Sequence, residues 1–296
     1  MVAVTPAETD FPPDVRPPLG ILAGGGRLPG RVAAAAAAAG RPVFIVGLDG
    51  FADTDVLAPW PHQVLRMGAV GRIFAALRAN HCRDLVLIGT VRRPSFFDMR
   101  PDAEGARMLA RAGRVAFAGD DGLLAAVVKV LGESGFHVVG AHEIMNEALA
   151  PAGALGAVAP DAEAMADIDR GIAVARALGR ADVGQGCVVQ HGLVLAVEAI
   201  EGTDAMLSRC AGLARAGQGG VLVKLVKPGQ DRRADLPTIG PETVRGAAAA
   251  GLRGIAFVAG ATLLAERAAT IDAADSAGLF LLGLDPATIT EGEHDT

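Results

Sequence analysis

Between Leu19 and Thr90 the chain alternates short apolar runs with helix-forming stretches, and this alternation leaves few folds open. Leu19-Gly-Ile-Leu-Ala, Arg41-Pro-Val-Phe-Ile-Val-Gly and Asp84-Leu-Val-Leu-Ile-Gly-Thr have strand length and are nearly apolar throughout, as strands buried on both faces are. Between them lie the alanine run Ala33–Ala39, ended by Gly40, and a helical stretch at Ile73–Asn80. Strands alternating with helices at this spacing predict βαβ units and a parallel sheet, the core of a Rossmann-like α/β domain. Helices at Ala103–Ala112 and Asp121–Ser134, a strand at Phe136–Ala141 and a short helix at His142–Ala150 complete it.

The stretch from Pro151 to Pro160 breaks the periodicity with Pro and Gly, and Asp161 is placed to cap the helix that follows, which runs to Leu178. Beyond it the texture changes. Gly186–Gln190 and Leu193–Ile200 read as a hairpin turned at His191-Gly192. A helix at Asp204–Ala216, a strand at Val221, a helix at Pro241–Ala250 and strands at Ile255–Ala259 and Leu279–Leu282 follow. The expected fold is α/β: an N-terminal Rossmann-like parallel-sheet domain (19–150), a linker (151–161) and a C-terminal mixed α/β catalytic domain (162–290). Residues 1–18 and 291–296 read as tails, the first being rich in Pro and acid and lacking the apolar core of a signal peptide.

Composition narrows the function. A net charge of −6, a scarcity of aromatics and no Tyr argue against a nucleic-acid binder. No run approaches the roughly 20 apolar residues that cross a bilayer. The three cysteines, Cys82, Cys187 and Cys210, have no metal-ligand spacing and fit buried thiols in a reducing cytoplasm; Cys187 lies in an apolar run and reads as core. No H-x-x-x-H or G-x-S-x-G pattern is present among the six histidines and the serines, and His142 reads as structural.

The densest chemistry lies in Lys224–Pro241, K-L-V-K-P-G-Q-D-R-R-A-D-L-P-T-I-G-P, directly after the Val221 strand. Lys224, Lys227, Arg232 and Arg233 can neutralise phosphate oxygens, while Asp231 and Asp235 can bind a metal ion or orient a water. A solvated loop with internal ion pairs is the plainer reading of so many opposite charges. Glu198, Glu201 and Asp204 cluster at a strand-to-helix junction; with Asp231 and Asp235 they can gather around Mg²⁺, or Thr203 or Asp204 can serve only as an N-cap. The Gly24-Gly25-Gly26 turn between strand and helix is either an anion-binding turn or a tight connection; it is neither a Walker A loop nor a dinucleotide fingerprint. Arg92 and Arg93 follow the C-terminal end of a strand, where open parallel sheets take ligands. Gly119-Asp120-Asp121-Gly122 is a ligand-facing turn or a helix cap.

Taken together and in order, L-G-I-L-A-G-G-G-R-L-P from Leu19, A-V-E-A-I-E-G-T-D-A-M-L from Ala196, the Lys224–Pro241 loop and A-G-L-R-G-I-A from Ala250 resemble the LpxI-type UDP-2,3-diacylglucosamine pyrophosphatases of lipid A biosynthesis. The likeness covers nearly all the chain between the tails. Ala234 and Ala261 depart from it, and neither removes a charged group. The resemblance implies hydrolysis of UDP-2,3-diacylglucosamine to UMP and 2,3-diacylglucosamine 1-phosphate. It also implies Mg²⁺ dependence, two domains with the lipid between them, a homodimer, and peripheral work at the inner face of the cytoplasmic membrane.

On that reading Asp235 or Asp231 holds Mg²⁺ or orients water, with Glu198 and Glu201 as further metal candidates. Lys224, Lys227, Arg232 and Arg233 neutralise phosphate. Gly24, Gly25, Gly26, Arg92, Gln185, Thr203, Asp204, Gln230 and Thr238 bind the rest of the substrate, and an acyl groove would be lined mainly by aliphatic side chains. A nucleotide-sugar-modifying transferase and a non-catalytic lipid- or nucleotide-binding module are the two rival readings.

Overall fold

Strand β1 (Leu19–Ala23) runs through the middle of the first sheet, with Leu19, Ile21 and Ala23 sealed from solvent. This computed structural model describes residues 16–91, 100–112, 120–145 and 148–290. Within them the chain forms two compact units, one from residues up to 112 with 127–144, the other from 120–126 with 145–290.

In the first unit β1 is followed by α1 (Leu28–Ala38), β2 (Val43–Leu48), α2 (Thr54–Leu57), β3 (His62–Leu65), α3 (Val70–Ala79) and β4 (Asp84–Ile88). Then come α4 (Ala103–Ala112), α5 (Asp120–Glu133, of which only the part from Val127 belongs to this unit), β5 (His137–Val138) and α6 (Ala141–Ile144). The strands are all parallel in the order β3-β2-β1-β4-β5, so the expected Rossmann-like sheet is present and its order reverses between β1 and β4. Helix α1 starts ahead of the alanine run because Pro29 fits a first turn, where its missing N–H costs nothing. Strand β3 was not expected: His62, Gln63 and Val64 are exposed, so this edge strand pairs through its backbone without an apolar run to mark it.

One expectation fails here. Of the helix read at His142–Ala150 the described residues show the turn α6, capped by Glu143 Oε1 accepting from the Gly140 N–H at 2.7 Å, and Ala148 in a 3₁₀ turn; residues 146 and 147 lie outside the described residues. The chain is extended again by Leu149 and Ala150, where Ala150 N–H donates to Thr262 O at 2.9 Å.

The second unit contains β6 (Gly153–Leu155), α7 (Ala162–Arg180), β7 (Gly186–Gln190), β8 (Leu193–Val197), α8 (Gly202–Cys210) and β9 (Val221–Lys224). It continues through β10 (Thr238–Ile239), α9 (Pro241–Ala249), β11 (Gly254–Val258), β12 (Leu263–Leu264), α10 (Arg267–Ala277), β13 (Phe280–Leu284) and α11 (Pro286–Thr290). Its main sheet has the order β6-β13-β11-β9-β7-β8. Strands β13, β11 and β9 are parallel; β6, at one edge, and β7 run against them, and β8 returns against β7. This is the expected mixed sheet. The stretch expected as linker thus carries an edge strand, β6, in register with β13. Helix α8 also stops earlier than expected, at Cys210, and a 3₁₀ turn follows at Ala211–Leu213.

Strand alternation sorts this sheet into two apolar layers. Cys187, Val189, Val221 and Val223 face one cluster with Ala164, Ile168 and Ala175 of α7. Val188, Leu222, Ile255 and Phe257 face the other, with Met206 and Leu207 of α8 and Val244 and Ala247 of α9. Lys224 has the parity of Leu222, and Glu198 that of Ala196, so both belong to the α8 face.

The expected hairpin turn is real: His191 and Gly192 both have positive φ (52° and 73°), as a tight turn with right-handed strands requires. Asp167 of α7, only 2 % exposed, accepts from the N–H groups of His191 (3.1 Å) and Gly192 (2.7 Å). Asp167→Ala therefore leaves two backbone donors without their acceptor and should lower stability by about 1–3 kcal/mol in urea unfolding. Asp167→Asn, which keeps an oxygen there, should recover part of the loss, and an unchanged midpoint in the alanine variant would contradict this role for Asp167.

Candidate active site

Three strand ends and a helix start converge at one end of the second unit's sheet. Strand β9 ends at Lys224, and β7, running against it, begins beside it with the register pair Gly186↔Lys224. Strand β8 ends at Val197, and Glu198 N–H donates to Gly186 O at 2.8 Å. Helix α8 opens two residues after Ile200. The Lys224 Nζ donates to Thr203 Oγ1 at 2.7 Å, and Thr203 Oγ1 donates to Glu198 Oε1 at 2.7 Å. Lys224 and Glu198 are both about 6 % exposed. The Glu198 Oε2 is buried with no hydrogen-bond partner, as is Oε1 of the half-buried Gln185.

The loop that leaves β9 is held by its own side chains. Gln230 Oε1 accepts from Lys227 N–H at 3.1 Å, and Gln230 Nε2 donates to Asp235 Oδ2. Lys227, buried, pairs with Asp182 at 2.9 Å. Arg233 grips Asp231 with Nε (2.9 Å) and a terminal nitrogen (2.7 Å), and its own N–H also reaches Oδ1 (3.1 Å). That guanidinium holds the Asp231 carboxyl below the usual aspartate range, against a smaller opposing effect of burial. Arg232 donates to Gly260 O at 2.5 Å, in the turn that follows β11. Thr238 opens β10, its hydroxyl on Leu236 O at 3.3 Å.

The four cations differ in what already compensates them. Lys227 and Arg233 each face a carboxylate. Arg232 meets a carbonyl oxygen and Lys224 a hydroxyl, both neutral. The charge left for a phosphate is greatest on Lys224 and Arg232. Of the two aspartates, Asp231 has both oxygens closed by Arg233, whereas Asp235 is half-buried and accepts from the Gln230 amide.

The expected magnesium set does not assemble. Among the described residues no three His, Cys, Asp or Glu side chains come together to hold a metal ion. Glu198 turns inward to Thr203. Glu201 turns outward to Arg209 (2.8 and 3.2 Å), and its carboxyl lies below the usual range through hydrogen bonds from its own N–H and from Arg209. Asp231 is bound to Arg233. Parity explains the split, because Glu198 continues the inward face of β8 while Glu201 lies beyond the strand.

Neither Thr203 nor Asp204 caps α8: the cap position is Glu201, whose side chain makes no capping bond, and Asp204 is exposed in the first turn.

In the first unit, the N–H groups of Gly24, Gly25 and Gly26 are all engaged: by Ile88 O (2.9 Å), Thr90 O (2.9 Å) and Asp53 Oδ2 (2.6 Å). A Cβ on Gly24 would stand 2.7 Å from Thr90 O. These glycines let two loop backbones cross, and the donors expected for an anion are already taken, one of them by the protein's own carboxylate. The tight connection is the alternative this geometry favours. Arg92, Arg93 and Gly119 lie outside the described residues; Asp120 and Asp121 open α5. Cys187 is core as expected: burial pushes its thiol up to about 12, so it carries no thiolate at neutral pH.

Two partners escaped the sequence reading. Asp182 sits 45 residues before Lys227, with positive φ (50°) at the end of α7, and Asp53 lies 27 residues after Gly26. Asp182-Val-Gly in a short connection was the one visible signal for the first.

Family models for the LpxI N-terminal domain and the LpxI C-terminal domain match residues 18–148 and 151–282. A UDP-2,3-diacylglucosamine pyrophosphatase LpxI of Caulobacter vibrioides is 49% identical over 274 residues, covering 90% of this chain and 98% of that protein.

The Asp231–Arg233 clamp makes a prediction about acid stability. A carboxyl depressed in the folded state contributes stability above its ordinary value, and that contribution is lost as pH falls through the folded value. Melting temperatures of wild type and Asp231→Asn should therefore differ most near neutral pH and converge in acid. A constant gap across the acid range would show that the clamp does not set Asp231's titration.

Proposed function

The chain belongs to the LpxI family, and on that premise we propose that it hydrolyses the pyrophosphate bond of UDP-2,3-diacylglucosamine in lipid A biosynthesis. The products are UMP and 2,3-diacylglucosamine 1-phosphate. The observation that carries the reading is the near full-length identity with the Caulobacter pyrophosphatase, running through both family domains. The cation-rich loop after β9 agrees with it chemically.

Hydrolysis of a diphosphate ester needs neutralised phosphate oxygens, an oriented water and a stabilised leaving phosphate. Lys224 and Arg232, whose partners are neutral, take the phosphate oxygens. Lys227 and Arg233, compensated by Asp182 and Asp231, hold the loop in shape and add to its positive field. Asp235, aimed by Gln230, orients the attacking water. The water oxygen bonds to one phosphorus, the anhydride P–O bond breaks, and the proton passes to the Asp235 carboxylate and then to solvent. Gln185, Thr203, Asp204 and Thr238 line the polar approach.

Mg²⁺ belongs to the proposal as an ion carried on the diphosphate. This cation is often held by one or two carboxylates together with substrate phosphates. No residue set in the described chain is preassembled for it, and no step above runs through it. The proposal also includes a homodimer and a cytoplasmic protein touching the inner face of the membrane, because the acylated substrate resides in a bilayer. No helix among the described residues is long and apolar enough to cross a membrane.

Purified protein should release UMP from UDP-2,3-diacylglucosamine, and excess chelator should abolish release. Asp235→Ala should lower kcat by at least about 10²-fold. Near-normal turnover by the folded variant would remove Asp235 from the mechanism, and release indifferent to chelator would remove the metal. Substrate bound without release would point instead to a binding module.

A further inference from the structure

Lys224, Gly186 and Glu198 form one row across three strands, on the face turned to α8. Gly186 is the low point of that row. A Cβ there would stand 2.8 Å from Glu198 Oε2, so any side chain at 186 would displace the carboxylate. Gly184 is equally constrained, since its Cβ would meet Glu198 O at 2.1 Å. Two glycines thus make room for one buried acid. The single Thr203 hydroxyl proton is donated to Glu198, which leaves the Thr203 lone pairs pointing at the Lys224 ammonium. A carboxylate buried only to stabilise the fold would have both oxygens satisfied, and Oε2 here has no donor.

We propose that Glu198 is a positioning residue that acts through Thr203 to fix the Lys224 ammonium against the substrate phosphate, and that it is not a metal ligand. Gly186 is the notch that permits this contact. The inference rests on the hydrolase reading for its substrate, but the relay itself is a property of three side chains and the glycine beneath them. Glu198 fixes the direction of the Thr203 proton, and Thr203 fixes the ammonium. Lys224 therefore enters the reaction already aimed, with no carboxylate in direct contact to cancel its charge. Loss of any one member releases the lysine by the same route.

The test is a double-mutant cycle on UMP release, with Glu198→Gln, Thr203→Val and the pair combined, and with Gly186→Ala and Thr203→Ser alongside. Glu198→Gln and Thr203→Val should each lower kcat about tenfold or more, the factor carried by one hydrogen bond to a charged group. The combined variant should be no worse than the poorer single one. Gly186→Ala should resemble Glu198→Gln without removing a polar atom, and Thr203→Ser, which keeps the hydroxyl, should recover most of what Thr203→Val loses. The Mg²⁺ concentration for half-maximal rate should not move in any of them.

Calorimetric binding of inorganic pyrophosphate, which needs no turnover, should weaken in the same non-additive pattern. Additive losses, or a shift in Mg²⁺ dependence with Glu198→Gln, would overturn the relay while leaving the hydrolase intact. A wild-type protein that releases no UMP yet shows the pattern in pyrophosphate binding would overturn the hydrolase reading and support the relay. Melting curves of each variant separate these outcomes from unfolding.

Discussion

Strand β7 enters the second unit's sheet against the direction of β9, and this reversal decides which side chains meet at the candidate site. In an all-parallel sheet the start of β7 would lie at the far end from Lys224. Running backwards, it places Gln185 and Gly186 beside the end of β9, and the hairpin then brings the end of β8, with Glu198, to the same place. Helix α8 begins immediately beyond and adds Thr203. Four elements separated in sequence deliver their polar residues to one end of the sheet, while its middle stays wholly apolar on both faces. Asp167 secures the other end of the hairpin, so the register of this end depends on a buried acid at the opposite one.

The charges around that end are graded. A buried ammonium in contact with a carboxylate is largely compensated; one separated from its carboxylate by a hydroxyl is compensated less. Lys227 with Asp182 is of the first kind and Lys224 with Thr203 of the second, although both lysines are buried to a similar degree. The distinction separates residues that build the loop from residues that can greet an anion, and composition alone treats them alike. It also explains the density of acids in a loop meant for phosphate. Asp182 and Asp231 restrain cations that would otherwise repel one another, while Asp235 accepts from the Gln230 amide.

Much of the fold was legible because burial leaves a period in the sequence. The parallel strands of the first unit are apolar runs, and the hairpin is announced by His191-Gly192. Elements without that period stayed hidden: β3, exposed along an edge, β6, three residues long, and the two-residue strands β10 and β12. The loop after β9 was legible as chemistry because Pro and Gly punctuate its charges. Its internal partners were not, since Asp182 reaches Lys227 and Thr203 reaches Lys224 through the sheet rather than along the chain. The partners of the acids were hidden for the same reason. Glu198 and Glu201 are neighbours in sequence but turn to opposite environments, one to a half-buried threonine and one to an exposed arginine. The glycine turn after β1 was legible as a place needing glycine, but the cause is a backbone crossing with Thr90 and an Asp53 carboxylate on Gly26 N–H.

The irregularity in the hairpin shows how narrowly such a site is specified. From the turn, Gln190 pairs with Leu193 and Val189 with Val194; then the register shifts, and Val188 pairs with Ala196 and Cys187 with Val197. Leu195 is the extra residue of this bulge. Counting without it would set Val197 opposite Gly186 and Glu198 opposite Gln185, one step around the pleat. Because side chains alternate faces, that single step would carry Glu198 away from α8 and from Thr203. The bulge returns the acid to the α8 face, in the row where a glycine leaves space for its carboxylate. A one-residue insertion in an edge strand therefore places Glu198 on the α8 face beside Thr203 instead of on the face turned to α7.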